Sequence, residues 1–280
     1  MHEDHEDLRI IDPDFVAPLA NRRIPYGNVA KEFQYGDFRY PDVPGPWPVV
    51  VMIHGGFWKE EHDMRHAGHL CHALTKTGLA TWNVEYRRIG TGGGWPMTFE
   101  DMIDAVNFLG HIVEFYPIDL KRVVVMGHSA GGHLALWLAG ACKHADVLPG
   151  KKLIRQMRGV VGLAPVTDLQ LAWKKQLSKG IVGKFLGGSP DEVPERYEFA
   201  CPLRRLPTGT RQILIHGDED LHVKLVFSQL YKRRAMEIQR QTGVVEPVEL
   251  RVREGCGHYE LINPESEQFE WVRQAIADLL

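Results

Sequence analysis

The chain has 280 residues, of which 44% are hydrophobic and 25% charged, and a formal net charge of −3. That length holds one large α/β domain or two small ones, and the balance is ordinary for a globular protein in water. The charge leaves no footprint for nucleic acid or an anionic membrane surface, and no stretch approaches the ~20 apolar residues of a membrane span.

The start, Met1 to Asp7, is acidic and polar. A secretory signal would need a basic start and an apolar run. Cys71, Cys142, Cys201 and Cys256 are scattered without a C-x-x-C pair. They read as reduced thiols of a cytoplasmic protein, two of them packing helices.

Residues 1–28 are polar and contain Pro13, Pro18 and Pro25, which predicts an arm lying over the surface. Val29 to Tyr35 alternates, predicting an early edge strand, and Pro41 to Pro48 forms a turn-rich connector. Val49 to Ile53 is an apolar run of strand length, as for a strand covered on both faces. It ends in His54-Gly55-Gly56-Phe57-Trp58. A helix is predicted near Asp63 to Thr77, where Ala67, Leu70, Cys71 and Leu74 share one face. Thr81 to Tyr86 predicts the next strand, Gly90 to Pro96 a flexible loop, and Phe99 to Phe115 an amphipathic helix.

Val123 to Met126 reads as a strand, followed by Gly127-His128-Ser129-Ala130-Gly131 and an almost wholly apolar helix to Cys142. Gly159 to Leu163 is another buried strand. Residues 165–208 lose any clear period and carry four prolines from Pro190 to Pro207, predicting a lid-like excursion. Strand, helix, strand and helix then follow at Gln212–His216, Val223–Thr242, Val248–Val252 and Pro264–Leu280. The alternation predicts a single α/β domain around a mostly parallel sheet, with its site at the carboxyl ends of the strands.

The pentapeptide at Ser129 fits G-x-S-x-G between a strand and a helix, the setting of a nucleophile elbow. A serine hydroxyl needs a base, and the base needs an orienting acid. His258 follows the last strand. The preceding strand ends at His216 and is followed by Asp218 and Asp220. Asp220 is the preferred acid, with Asp218 and Asp168 as alternatives. The order Ser129, Asp220, His258 is that of α/β-hydrolases. Acyl transfer also needs fixed N–H groups facing the developing oxyanion. Ala130 and the paired glycines Gly55 and Gly56 are the candidates.

Together, His54-Gly55-Gly56-Phe57-Trp58, the Ser129 elbow, His216-Gly217-x-x-Asp220 and Gly257-His258 resemble the α/β-hydrolase superfamily over residues 48–280. Within it, H-G-G-x-W with G-H-S-A-G-x-H resembles the esterase and lipase branch that includes kynurenine formamidases (arylformamidases) and small carboxylesterases. The resemblance implies an eight-stranded, mostly parallel sheet with helices on both faces. It also implies Ser129 as nucleophile, Asp220 as acid, His258 as base, and the Gly55–Gly56–Phe57 backbone with Ala130 as oxyanion donors.

Other residues have plainer readings. His54 is expected to brace the oxyanion loop. Trp58 either lines the acyl pocket or packs the loop, and His128 and Tyr259 are weaker pocket candidates. Arg87 and Arg88 read as structural ion pairs. The glycine run Gly92–Gly94 lacks a strand–GxGxxG–helix setting. His62, His66 and His69 lie opposite the apolar stripe of their helix and read as a solvated face, not a metal site.

The expected function is hydrolysis of a small carboxylic ester or aryl formamide through an acyl-enzyme, without metal or cofactor. The expected partner is the small-molecule substrate, with no nucleic acid and no membrane; a homodimer is compatible with the sequence. A serine peptidase of the same fold is one alternative, although the chain lacks a propeller-like repeat region to control access. The other is a non-catalytic ligand-binding protein, which would not need an intact triad.

Overall fold

A computed structural model describes residues 12, 14–141, 148, 151–153 and 156–280. Most of the N-terminal arm before residue 14, and Cys142, therefore lie outside the described residues.

Eight strands form one sheet: β1 (Arg22–Pro25), β2 (Tyr35–Arg39), β3 (Trp47–Ile53), β4 (Ala80–Val84), β5 (Ile118–His128), β6 (Gly159–Leu163), β7 (Arg211–Gly217) and β8 (Val248–Arg253). Their spatial order is β1-β2-β4-β3-β5-β6-β7-β8. Only β2 runs against the rest, antiparallel to β1 and β4. Nine α-helices occur among the described residues: α1 (Gly68–Thr75), α2 (Met97–Asn107), α3 (Leu109–Ile112), α4 (Ala130–Ala141), α5 (Leu169–Lys174), α6 (Ile181–Leu186), α7 (Pro194–Ala200), α8 (Val226–Thr242) and α9 (Gln268–Leu279).

The apolar runs of β3 and β5 are continuous because both faces of the sheet are covered. Val49, Val51 and Val125 enter the core on the side of α2, α4 and α8. Val50, Met52 and Val124 enter the core beneath α1 and α9. Strand order reverses between β3 and β5, and ligands in such sheets bind at the carboxyl ends beside that reversal. The Gly55–Gly56 turn and Ser129 both lie there.

Three expectations change. Residues 29–34 are not a strand; Phe33 and Gln34 both donate to Ala30 O, forming a turn. Buried Gln34 locks that turn, accepting Ala30 N–H at 2.9 Å and donating to Asp101 at 2.7 Å. The helix expected from Phe99 to Phe115 starts at Met97 and breaks at Phe108, where His111 N–H reaches back only three residues to Phe108 O. The excursion after β6 consists of α5 to α7 and a 3₁₀ turn, Pro202–Arg205, and its apolar residues Leu169, Phe185, Leu186 and Tyr197 belong to the main core.

Candidate active site

Ser129 sits alone between β5 and α4 with φ +56°, a conformation costly for a residue with a Cβ. The flanking glycines explain how so tight a turn closes. A Cβ on Gly127 would lie 2.1 Å from Gly131 O, and one on Gly131 would lie 2.1 Å from Ile53 O. The turn is held by Ser129 N–H donating to Leu163 O at 2.8 Å and His133 N–H donating to Ser129 O at 3.0 Å. Ser129 Oγ is buried and has no hydrogen-bond partner among the described residues.

β7 and β8 bring the acid and the histidine together. His258 Nδ1–H donates to Asp220 Oδ2 at 2.6 Å, with both side chains almost fully buried. The other carboxylate oxygen accepts the N–H groups of His222 at 2.8 Å and Val223 at 2.7 Å. Burial opposes ionisation of Asp220, but the bonds from His216 and His258 outweigh it and hold the carboxyl below the usual range. Burial pushes His258 below its ordinary value despite the opposing pull of Asp220, favouring the neutral imidazole. With its proton on Nδ1, that ring has its basic lone pair on Nε2.

The alternative acids are occupied elsewhere. Asp218 is exposed and accepts Gly255 N–H at 2.8 Å. Asp168 caps α5 by accepting the N–H groups of Gln170 and Leu171.

The oxyanion-loop candidates separate into two kinds. Gly55 N–H is already committed, donating to His66 Nε2 at 3.2 Å. Gly56, Phe57 and Ala130 N–H have no acceptor among the described residues. Ala130 begins α4, so its N–H has no partner within the helix. Gly56, Phe57 and Trp58 have successive φ values of +98°, +52° and +58°. Only glycine suits the first, since a Cβ there would meet His62 Cβ at 2.2 Å.

His54 braces this turn from behind. Its Nδ1–H donates to Gly55 O at 2.8 Å, and its Nε2 lies 3.2 Å from Glu85 Oε1. The ring stacks on Tyr86 at 4.4 Å. Arg88 pairs with the same Glu85, and Arg87 with Asp101, so both arginines are structural.

Trp58 is fully buried and stacks on Phe185 at 4.5 Å, so it packs the loop against α6. His128 is buried too, and its Nε2–H donates to the backbone carbonyl of His258 at 3.1 Å. Tyr259 is partly buried, its ring 5.2 Å from that of His258.

The histidine face opposite the α1 stripe is half-buried and bonded rather than a free solvated face. His62 backs Gly56, His66 receives Gly55 N–H, and His69 stacks on Phe15 at 4.1 Å. Asp63 caps a 3₁₀ turn, Met64–Ala67, and this tighter winding before α1 turns His66 inward. Among the described residues, no group of three or more His, Cys, Asp or Glu could hold a metal ion.

His66, Glu85 and His216 escaped the sequence reading as site residues. His216 is bonded on both ring nitrogens, to Ser228 Oγ at 2.7 Å and Val223 O at 2.6 Å, and its Nε2 lies 3.4 Å from Asp220 Oδ2. Its position at the end of β7, four residues before Asp220, was the available signal.

The family model described as BD-FAE matches residues 37–234. The chain belongs to the BD-FAE family. This is an esterase family of the α/β-hydrolase fold. Among curated relatives of this BD-FAE chain, Esterase LipC of Mycobacterium tuberculosis is 24% identical over 81% of this chain and 58% of its own length. The chain thus spans less than two thirds of that relative. An uncharacterized peptidase, YtmA of Bacillus subtilis, is 23% identical over 71% of this chain and 74% of its own. Esterase B of Lactobacillus rhamnosis superposes with a TM-score of 0.77 at 18% identity, covering 97% of this chain and 88% of the other. That likeness concerns the fold.

Proposed function

We propose that the protein is a serine carboxylesterase that cleaves small esters, or an activated amide such as an aryl formamide, through an acyl-enzyme. The observation that carries this reading is the buried Asp220–His258 pair, 2.6 Å apart, with the His258 backbone clasped by His128, the residue before a serine held at φ +56°.

Ser129 Oγ attacks the substrate carbonyl carbon as His258 Nε2 takes its proton. The carbonyl oxygen becomes an oxyanion facing Gly56, Phe57 and Ala130 N–H, worth about 2.7–4 kcal/mol of barrier per donor in comparable sites. Collapse breaks the bond to the leaving alcohol or amine, which departs with the proton from His258. Water, deprotonated by the same nitrogen, then attacks the acyl-enzyme and releases the acid and Ser129. No cofactor takes part. Bulky Phe57 beside the hole, half-buried, favours a small acyl group.

The three described cysteines, Cys71, Cys201 and Cys256, are buried free thiols, each pushed up to about 12 by burial. They suit a reducing, cytoplasmic setting. No helix of the described residues is long and apolar enough to cross a membrane.

A peptidase is the second reading, favoured by the similarity to YtmA. The test is turnover of acetyl to octanoyl p-nitrophenyl esters, N-formylkynurenine and a peptidyl p-nitroanilide by wild type and S129A. The ester reading expects highest kcat/KM for a short ester or the formamide, and loss of several decades in S129A. Turnover retained by S129A overturns the serine mechanism; preference for the anilide by 10-fold or more selects the peptidase.

A further inference from the structure

The two peptides that lead into the oxyanion loop are each pinned by an imidazole. In the first, between His54 and Gly55, the carbonyl accepts Tyr86 OH at 3.1 Å and the N–H donates to His66 Nε2 at 3.2 Å. In the second, between Gly55 and Gly56, the carbonyl accepts His54 Nδ1–H at 2.8 Å. A trans peptide points its N–H opposite to its C=O. With Gly55 O drawn back to His54, Gly56 N–H must face forward. Gly55 itself packs against the serine turn, where a Cβ on it would lie 3.1 Å from Ser129 Cβ.

His66 therefore does what no other described residue does for this loop: it supplies an acceptor for Gly55 N–H. Without it, the loop can satisfy this donor only by turning the His54–Gly55 peptide, which carries the next peptide with it. An unpaired buried N–H costs about 1–3 kcal/mol, enough to favour such a turn. The role needs a lone pair on Nε2, and hence a neutral ring protonated on Nδ1. The surroundings enforce that form, because burial and the nearby His54 and His62 push His66 down to about 3.

We propose that His66 is a positioning residue for the hydrolytic reaction, setting the Gly55 peptide so that Gly56 N–H faces the oxyanion. It touches neither substrate nor Ser129 and acts through the backbone. The inference rests on the serine hydrolase reading above and adds to it the part of the loop that holds the hole open.

The experiment compares wild type with H66L, which removes the acceptor, and H66Q, whose Oε1 can replace Nε2. Steady-state kinetics on p-nitrophenyl acetate are read beside the rate of phosphonylation by a fluorophosphonate, which also builds charge on an oxygen in the hole, and beside thermal melting. The expected result for H66L is a fall in kcat on the order of 10–100-fold with KM within 3-fold, and a matching fall in phosphonylation. H66Q is expected to recover at least half of the lost logarithm of kcat. Equal phosphonylation rates in wild type and H66L overturn the proposal while leaving the serine reading intact. So does failure of H66Q to recover activity while melting at the wild-type temperature, or loss in H66L through KM alone. Absence of phosphonylation in the wild type instead overturns the reading on which the proposal rests.

Discussion

His128 Nε2–H donates to the backbone carbonyl of His258 at 3.1 Å, and the two rings lie 4.4 Å apart. The residue before the serine thus holds the backbone of the proposed base, across 130 positions of sequence. Replacing His128 with Leu removes the donor from a buried carbonyl, at about 1–3 kcal/mol. The expected outcome is a lower melting temperature by several degrees and a fall in kcat of about 10-fold, with KM little changed. Calorimetry and initial rates check both, and wild-type values of each would show the clasp to be idle.

The acid limb of the pH–rate profile should lie below 6.5, the ordinary histidine value. His258 accepts a proton only when neutral, and burial lowers its pKa, so activity is retained as pH falls below 6.5. Asp220 opposes that lowering. D220N should therefore move the limb to still lower pH while reducing kcat by about 10³–10⁴, through loss of the Nδ1 tautomer. A limb moved upward in D220N would contradict the assignment of Asp220.

Stability should fall on mild acidification. Burial holds His66 at about 3 and His133 at about 4, whereas both titrate near 6.5 when unfolded. Between these values the unfolded chain binds more protons than the folded one, so unfolding free energy rises with pH in that window. Each such histidine adds up to about 1.4 kcal/mol per pH unit. The melting temperature is expected to drop steadily from pH 6.5 to 5, and H133F, which removes one titrating group, to flatten the slope. A flat wild-type curve over that range would exclude this linkage.

Much of this arrangement was legible in the sequence because it is local. The Ser129 elbow, the glycine pair after β3 and the strand-end placement of Asp220 and His258 are short-range patterns. What was not legible depends on partners far along the chain. β1 is four residues, Arg-Arg-Ile-Pro, and only pairing with β2 makes it a strand. His66 reads as surface on a helical wheel, since the 3₁₀ turn that rotates it inward hangs on an Asp63 cap. Trp58 could line a pocket or fill one until α6 supplied Phe185. The pattern of residues 165–208 hides three helices of six or seven residues, too short to show a period.

The glycines of the elbow should tolerate no side chain. A Cβ at Gly127 meets a backbone oxygen, Gly131 O, at 2.1 Å, and no rotamer change can relieve it. G127A is expected to lose activity by at least 10²-fold, together with melting several degrees lower. Near-native kinetics for this variant would mean the turn is far looser than its geometry.

The most direct measurement is intact-mass and peptide analysis after treatment with a fluorophosphonate. One adduct per chain is expected, on the peptide containing Ser129, absent from S129A and formed much more slowly in H258A. An unmodified wild-type chain, or an adduct that persists in S129A, would contradict the claim that Ser129 is the nucleophile activated by His258.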